Sequence, residues 1–119
     1  MAKNLEATEE VQAAIEIACR RRDFRAHRVG CVLRRKDGVV IRYANQCCHV
    51  RTPRMHAEAR CARKATPGSV AWVVRVLTDG SLAMAKPCRA CQVQLKAYGV
   101  DRVYYSIGPG EFMTMDLTL

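Results

Sequence analysis

The residues best equipped for chemistry stand in two short runs, His56-Ala57-Glu58 and Pro87-Cys88-Arg89-Ala90-Cys91. Histidine and cysteine are side chains that hold zinc, and cysteines at i and i+3 project from one side of a helix. Cys88 and Cys91 can therefore reach a single ion. His56 supplies a third ligand. Three protein ligands leave the fourth tetrahedral position of zinc open to water, which separates a catalytic site from a structural one. Zinc so held makes hydroxide available near neutral pH. Placement at a helix N-terminus also lowers a thiol pKa, favouring the thiolate that a metal requires. Glu58 follows His56 by two residues, a spacing that points the two apart on a regular helix. Both face one ion only if His56 lies at the helix entrance, and Glu58 is then free to carry protons as a general acid and base.

Two plainer readings compete. In one, the zinc is structural and Cys61, Cys47, Cys48 or His49 completes its shell; that reading gives no reason for Glu58 beside the histidine or for Pro87 before the first cysteine. In the other, no metal binds and the cysteines are small buried apolar residues. Cys19 and Cys31 lie on apolar faces and are expected to pack. Cys61 either borders the site or packs, and Cys47, Cys48 and His49 either line a pocket or belong to loop surface.

The elements that must position these runs can be read from periodicity. Thr8 caps a helix with Glu9 and Glu10 in its first turn and Val11, Ala14, Ile15, Ala18 and Cys19 at helical spacing. Val29, Cys31 and Leu33 alternate along a strand over residues 29–36, Asp37-Gly38 makes a tight turn, and Val39 to Ala44 returns as a second strand. Asn45 to Met55 is aperiodic and delivers the chain to a short helix over about His56 to Ala65, stopped by Pro67-Gly68. Val70 to Leu77 is almost continuously apolar, as a central strand covered on both faces must be, and Trp72 within it is expected in the core. Thr78 to Lys86 reads as a loop. Pro87 starts a third helix bearing Val93 and Leu95, Gly99 stops it, and Val103 to Ile107 forms a strand in which Tyr104 and Tyr105 point to opposite faces. The order is αββαβαβ, with Glu111 to Leu117 available as a last strand. The few residues after Ile107 leave no space for a crossover helix, so that strand must run antiparallel to its predecessor.

At 119 residues the chain is expected to form one domain over residues 1–119, with enough apolar side chains for one core. Met1 to Glu6 lacks the apolar run of a signal peptide, and no stretch approaches the roughly 18 apolar residues of a membrane span, so the expectation is a soluble, cytoplasmic protein without a membrane partner. Seven cysteines, an odd number, in a reducing compartment argue for metal binding over disulfides. The net charge of +9 is concentrated between Arg20 and Lys64, where fourteen Lys or Arg face three acids. That field suits a phosphate-bearing partner, although an Arg-rich surface also serves solubility alone.

Together the two runs resemble the signature of the cytidine deaminase superfamily, His-x-Glu followed by Pro-Cys-x-x-Cys, with the glutamate as acid/base and not as ligand. The resemblance covers about residues 8–107. It implies an α/β, three-layer α-β-α fold with a mixed sheet of about five strands and an antiparallel C-terminal hairpin. It also implies one zinc ion per chain on His56, Cys88 and Cys91, with Glu58 catalytic. Asn45 resembles the asparagine that many members use on the sugar, and backbone around Ala57 and Pro87-Cys88 is implied to meet the base.

The reaction so implied is hydrolytic deamination of cytosine in a nucleoside or nucleotide, giving the uracil form and ammonia. The hairpin division, which includes free cytidine deaminases, fits the short tail. His56 departs from that division, whose members usually carry cysteine there. A nucleic-acid deaminase acting on cytosine or adenine in single-stranded DNA or RNA is the alternative, with Arg51, Arg54 and the Arg20 to Arg28 cluster on the backbone. Only Phe24 and Tyr43 interleave the basic segment as aromatics. A zinc-stabilised binding module without catalysis is the third reading. Small deaminases of this kind commonly form dimers or tetramers, and the resemblance implies a homo-oligomer here.

Overall fold

A computed structural model describes residues 4–20, 28–45 and 56–118. Three helices pack on one mixed sheet. Along the chain these are α1 (Glu9–Cys19), β1 (Arg28–Arg34), β2 (Val40–Ala44), α2 (Ala57–Ala62), β3 (Ser69–Val76), β4 (Leu82–Ala83), α3 (Arg89–Ala97), β5 (Val100–Gly108) and β6 (Glu111–Asp116). The strand order is β2-β1-β3-β5-β6, with β4 paired to β3 beside this path. The pairing of β3 with β5 is parallel, and the remaining ladders are antiparallel. The antiparallel C-terminal hairpin expected from the sequence is present as β5–β6, turned at Pro109 and Gly110.

Alternation along the strands feeds two cores, one on each face of the sheet. Cys31, Leu33, Ala71, Val73, Val103 and Tyr105 meet Ala57, Cys61, Ala62 and Leu95 from α2 and α3. On the opposite face Val32, Val74, Val76 and Phe112 meet Val11, Ala14 and Ala18 of α1. The layers are therefore α1, sheet, and α2 with α3. Helix α1 lies so close to β1 that a Cβ at Gly30 would stand 2.0 Å from the carbonyl oxygen of Ala14. Glu10, mostly buried, ties the same helix to β1 through Arg34 at 3.1 Å.

Several local expectations are corrected. Thr8 is the N-cap of α1, but its hydroxyl donates to the Leu5 carbonyl at 2.7 Å and caps no helical N–H. Cys19 is exposed, because the buried stripe of α1 is Val11, Ala14 and Ala18 and the next residue is turned about 100° away. Val93 is 61% exposed: two residues before Leu95, it points away from the face that Leu95 and Cys91 bury. The expected loop from Thr78 to Lys86 contains β4. Trp72 is half-buried, packed against the α1-side core and not within it, stacked on Tyr104 at 5.7 Å with the Arg34 guanidinium 5.8 Å from its ring. Tyr104 and Tyr105 do occupy opposite faces, and Tyr105 is the buried one.

Among the described residues no helix is long and apolar enough to cross a membrane. Cys47, Cys48, His49, Arg51, Arg54, Phe24 and most of the Arg20 to Arg28 cluster lie outside the described residues.

Candidate metal centre

The C-terminal ends of β3 and β5, the start of β1 and the end of β2 share one edge of the sheet. At this edge β4 extends the ladder from Arg75 and Val76 of β3, and Ser106 of β5 pins the segment that follows. Its hydroxyl donates to the Ala83 carbonyl at 2.7 Å, and its own carbonyl accepts the Ala85 N–H at 2.8 Å. Two residues later Pro87 is buried, with its carbonyl taken by the side-chain amide of Gln92 at 2.8 Å. Cys88 follows as the N-cap of α3, in extended conformation, and Cys91 is the third helical residue. Pro87, expected to start α3, thus stands two residues before its first helical residue, Arg89.

His56 is the N-cap of α2, also extended, with φ −67° and ψ 147°. This is the helix-entrance position that the His-x-Glu spacing demanded. Its Nδ1 lies 3.4 Å from Cys91 Sγ and 3.8 Å from Cys88 Sγ, and the three ligand atoms fall within 4.8 Å of one another. Ligands at about 2.0–2.3 Å from a tetrahedral zinc stand roughly 3.6 Å apart for nitrogen and sulfur, so the observed spacings bracket that value. One imidazole and two sulfurs are also the donors that zinc favours.

Burial pushes the Cys91 thiol far above its ordinary range, and the charge of Glu58 and the neighbouring Cys88 push the same way. A cation held between the two sulfurs would make thiolates favourable here.

Glu58 is the one buried charged side chain among the described residues, 6% exposed. Desolvation raises its carboxyl pKa, against the smaller pull of its backbone hydrogen bond and of His56. It is outside the ligand group, whose His56 and Cys88 are exposed while Cys91 is buried. The arrangement is a group that could hold an ion, exposed on one side, with a buried carboxyl beside it.

The model of the cytidine and deoxycytidylate deaminase zinc-binding region matches residues 6–107. The chain belongs to this deaminase family. No curated protein matches it.

Within a deaminase of this family, the described cysteines sort cleanly. Cys61 of α2 is buried and donates through its sulfur to the carbonyl of Cys31 in β1 at 3.3 Å, so both pack in the core between α2 and the sheet, and neither joins the ligand group. Ala57 is fully buried at the first turn of α2. Asn45 stands at the end of β2, where its side-chain carbonyl accepts the Val29 N–H at 3.0 Å and its own N–H donates to the Val29 carbonyl at 3.1 Å. Two supporting residues had no signal in the sequence. Ser106 reads as an ordinary strand residue, and Arg60 as a solvated helix cation, yet Ser106 anchors the approach to Cys88 and Arg60 crosses from α2 to the Ala44 carbonyl.

Proposed function

We propose that this protein is a zinc-dependent hydrolase that converts the cytosine of a nucleoside or nucleotide to uracil with release of ammonia. The observation that carries the reading is the buried carboxyl of Glu58 beside a His56, Cys88, Cys91 group with an exposed side. A structural zinc site has no use for such a carboxyl, whose burial costs stability.

Zinc held by His56, Cys88 and Cys91 would act as a Lewis acid that brings the pKa of water close to neutrality. The residues of the chain do the rest. The Glu58 carboxylate takes a proton from the attacking water and gives it to N3 of the cytosine ring. It then moves the second proton to the exocyclic nitrogen, so that C4–N breaks, C4=O forms and ammonia leaves. The low dielectric around Glu58 keeps its proton affinity high enough for both transfers. Backbone at Ala57 and Pro87 borders the base, and Asn45 meets the sugar.

The charge of +9 favours a second reading, a deaminase of single-stranded nucleic acid. Against it, the stacked Trp72–Tyr104 pair lies on the α1 side of the sheet, away from the face that carries α2 and α3. It offers no stacking platform at the metal centre. Ammonia release decides between the readings. The zinc-loaded protein is incubated with cytidine, deoxycytidine, their monophosphates, adenosine, guanine, and single-stranded DNA and RNA. Turnover of the small cytosine substrates is expected; turnover confined to polymers, with steep inhibition by salt, overturns the proposal.

A further inference from the structure

Arg60 leaves α2 in a direction different from that of Glu58. Two residues apart on a helix, the side chains diverge by roughly 200°. Glu58 turns to the metal centre and Arg60 reaches the edge strand β2. There Nη1 donates to the Ala44 carbonyl at 2.7 Å, and the guanidinium lies 4.4 Å over the ring of Tyr43. Both contacts are of the strong kind, a charged donor on a carbonyl and a cation on an aromatic face. Tyr43 in turn packs against the core beneath α2 and α3.

The peptide that Arg60 grips is the one that leads into Asn45. On its other side Asn45 is closed onto β1 by the reciprocal pair with Val29, backbone N–H to carbonyl and side-chain carbonyl to N–H. The Asn45 amide is therefore oriented from β1 by Val29 and spaced from α2 by Arg60. Helix α2 is the element that carries His56 and Glu58.

We infer that Arg60 is a positioning residue that sets the distance between the Asn45 amide and the metal centre, and so aligns the sugar of the substrate with its reacting base. The inference rests on the deaminase reading and on Asn45 meeting the sugar. Arg60 touches no substrate itself; it acts through Ala44 and Asn45. Misplacement of a binding group by about an ångström is enough to cost orders of magnitude in a bimolecular site.

The test uses the full zinc-loaded chain and the non-reacting product, uridine or its monophosphate, titrated calorimetrically beside the 2′,3′-dideoxy analogue. Arg60→Met, which keeps the aliphatic stem, is expected to weaken the hydroxyl-bearing product about tenfold and the dideoxy analogue by less than about twofold. Asn45→Ala is expected to do the same. In the Asn45→Ala background, adding Arg60→Met should cost less than about twofold more, because the two act on one contact. Arg60→Lys, which restores a charged donor to Ala44, should recover part of the loss. Zinc content and the unfolding midpoint, read on each variant, show whether fold and metal are intact.

Equal weakening of both ligands, or losses that multiply in the double variant, overturn the role of Arg60. So does a wild type that binds both ligands equally while releasing ammonia from cytosine, and in that case the deaminase reading stands. A zinc-loaded wild type that releases no ammonia from any cytosine substrate overturns the deaminase reading itself.

Discussion

Nδ1 of His56 lies 3.4 Å from Sγ of Cys91, which joins the entrance of α2 to the first turn of α3 across the edge of the sheet. Residues 59–86 separate the two runs on the chain. What closes that span is the sheet, which delivers both helix starts to one edge.

Removal of one sulfur should open the centre. Cys91→Ala is expected to lower zinc affinity by more than the 10–100-fold typical of a lost outer partner, since it deletes a ligand outright. Stability should fall with it, because metal that binds only the folded chain stabilises that chain. Competition with a chromophoric chelator, followed by thermal unfolding with and without zinc, checks both. A variant that keeps one zinc at full affinity contradicts the ligand assignment.

The α1 side of the sheet can be tested apart from the chemistry. Phe112 is 1% exposed in the α1 core, and Phe112→Ala should cost roughly 3–5 kcal/mol in denaturant unfolding while the zinc stoichiometry remains at one. A loss below about 1 kcal/mol would mean that the site collapses without a cavity.

Gly30 tests how closely α1 lies on β1. A Cβ there meets the Ala14 carbonyl oxygen at 2.0 Å, a backbone atom that cannot swing aside. Gly30→Ala should therefore destabilise by at least the 1–3 kcal/mol or so of ordinary overpacking, although alanine is otherwise harmless in a strand. An unchanged denaturation midpoint contradicts the packing.

Particular residues show why some of this was legible in the sequence and some was not. His56, Glu58, Cys88 and Cys91 could be read because metal chemistry needs those types at those spacings, whatever the sheet does. The hairpin at Asp37-Gly38 was legible from local chemistry as well: Gly38 takes φ +91°, and the Asp37 carboxylate accepts the Val39 N–H at 3.1 Å. Strand β4 was not, because Leu82 and Ala83 become a strand only by pairing with Val76 and Arg75. Periodicity likewise marked Trp72 as apolar without showing that it is only half-buried at the edge of the α1-side core, stacked on Tyr104. Arg60 illustrates the same limit, since its contacts with Tyr43 and Ala44 exist only once α2 has docked beside β2.

Glu58 is proposed to move the protons of a zinc-dependent cytosine deamination. The most direct measurement is ammonia release from cytidine, deoxycytidine or a monophosphate by the wild type and by Glu58→Gln, matched for bound zinc. Turnover by the wild type is expected, with a loss of at least about a hundredfold in the variant, the usual worth of a positioned acid and base, and with zinc retained. Equal rates from the two proteins, or no release by the zinc-loaded wild type from any of these substrates, would contradict it.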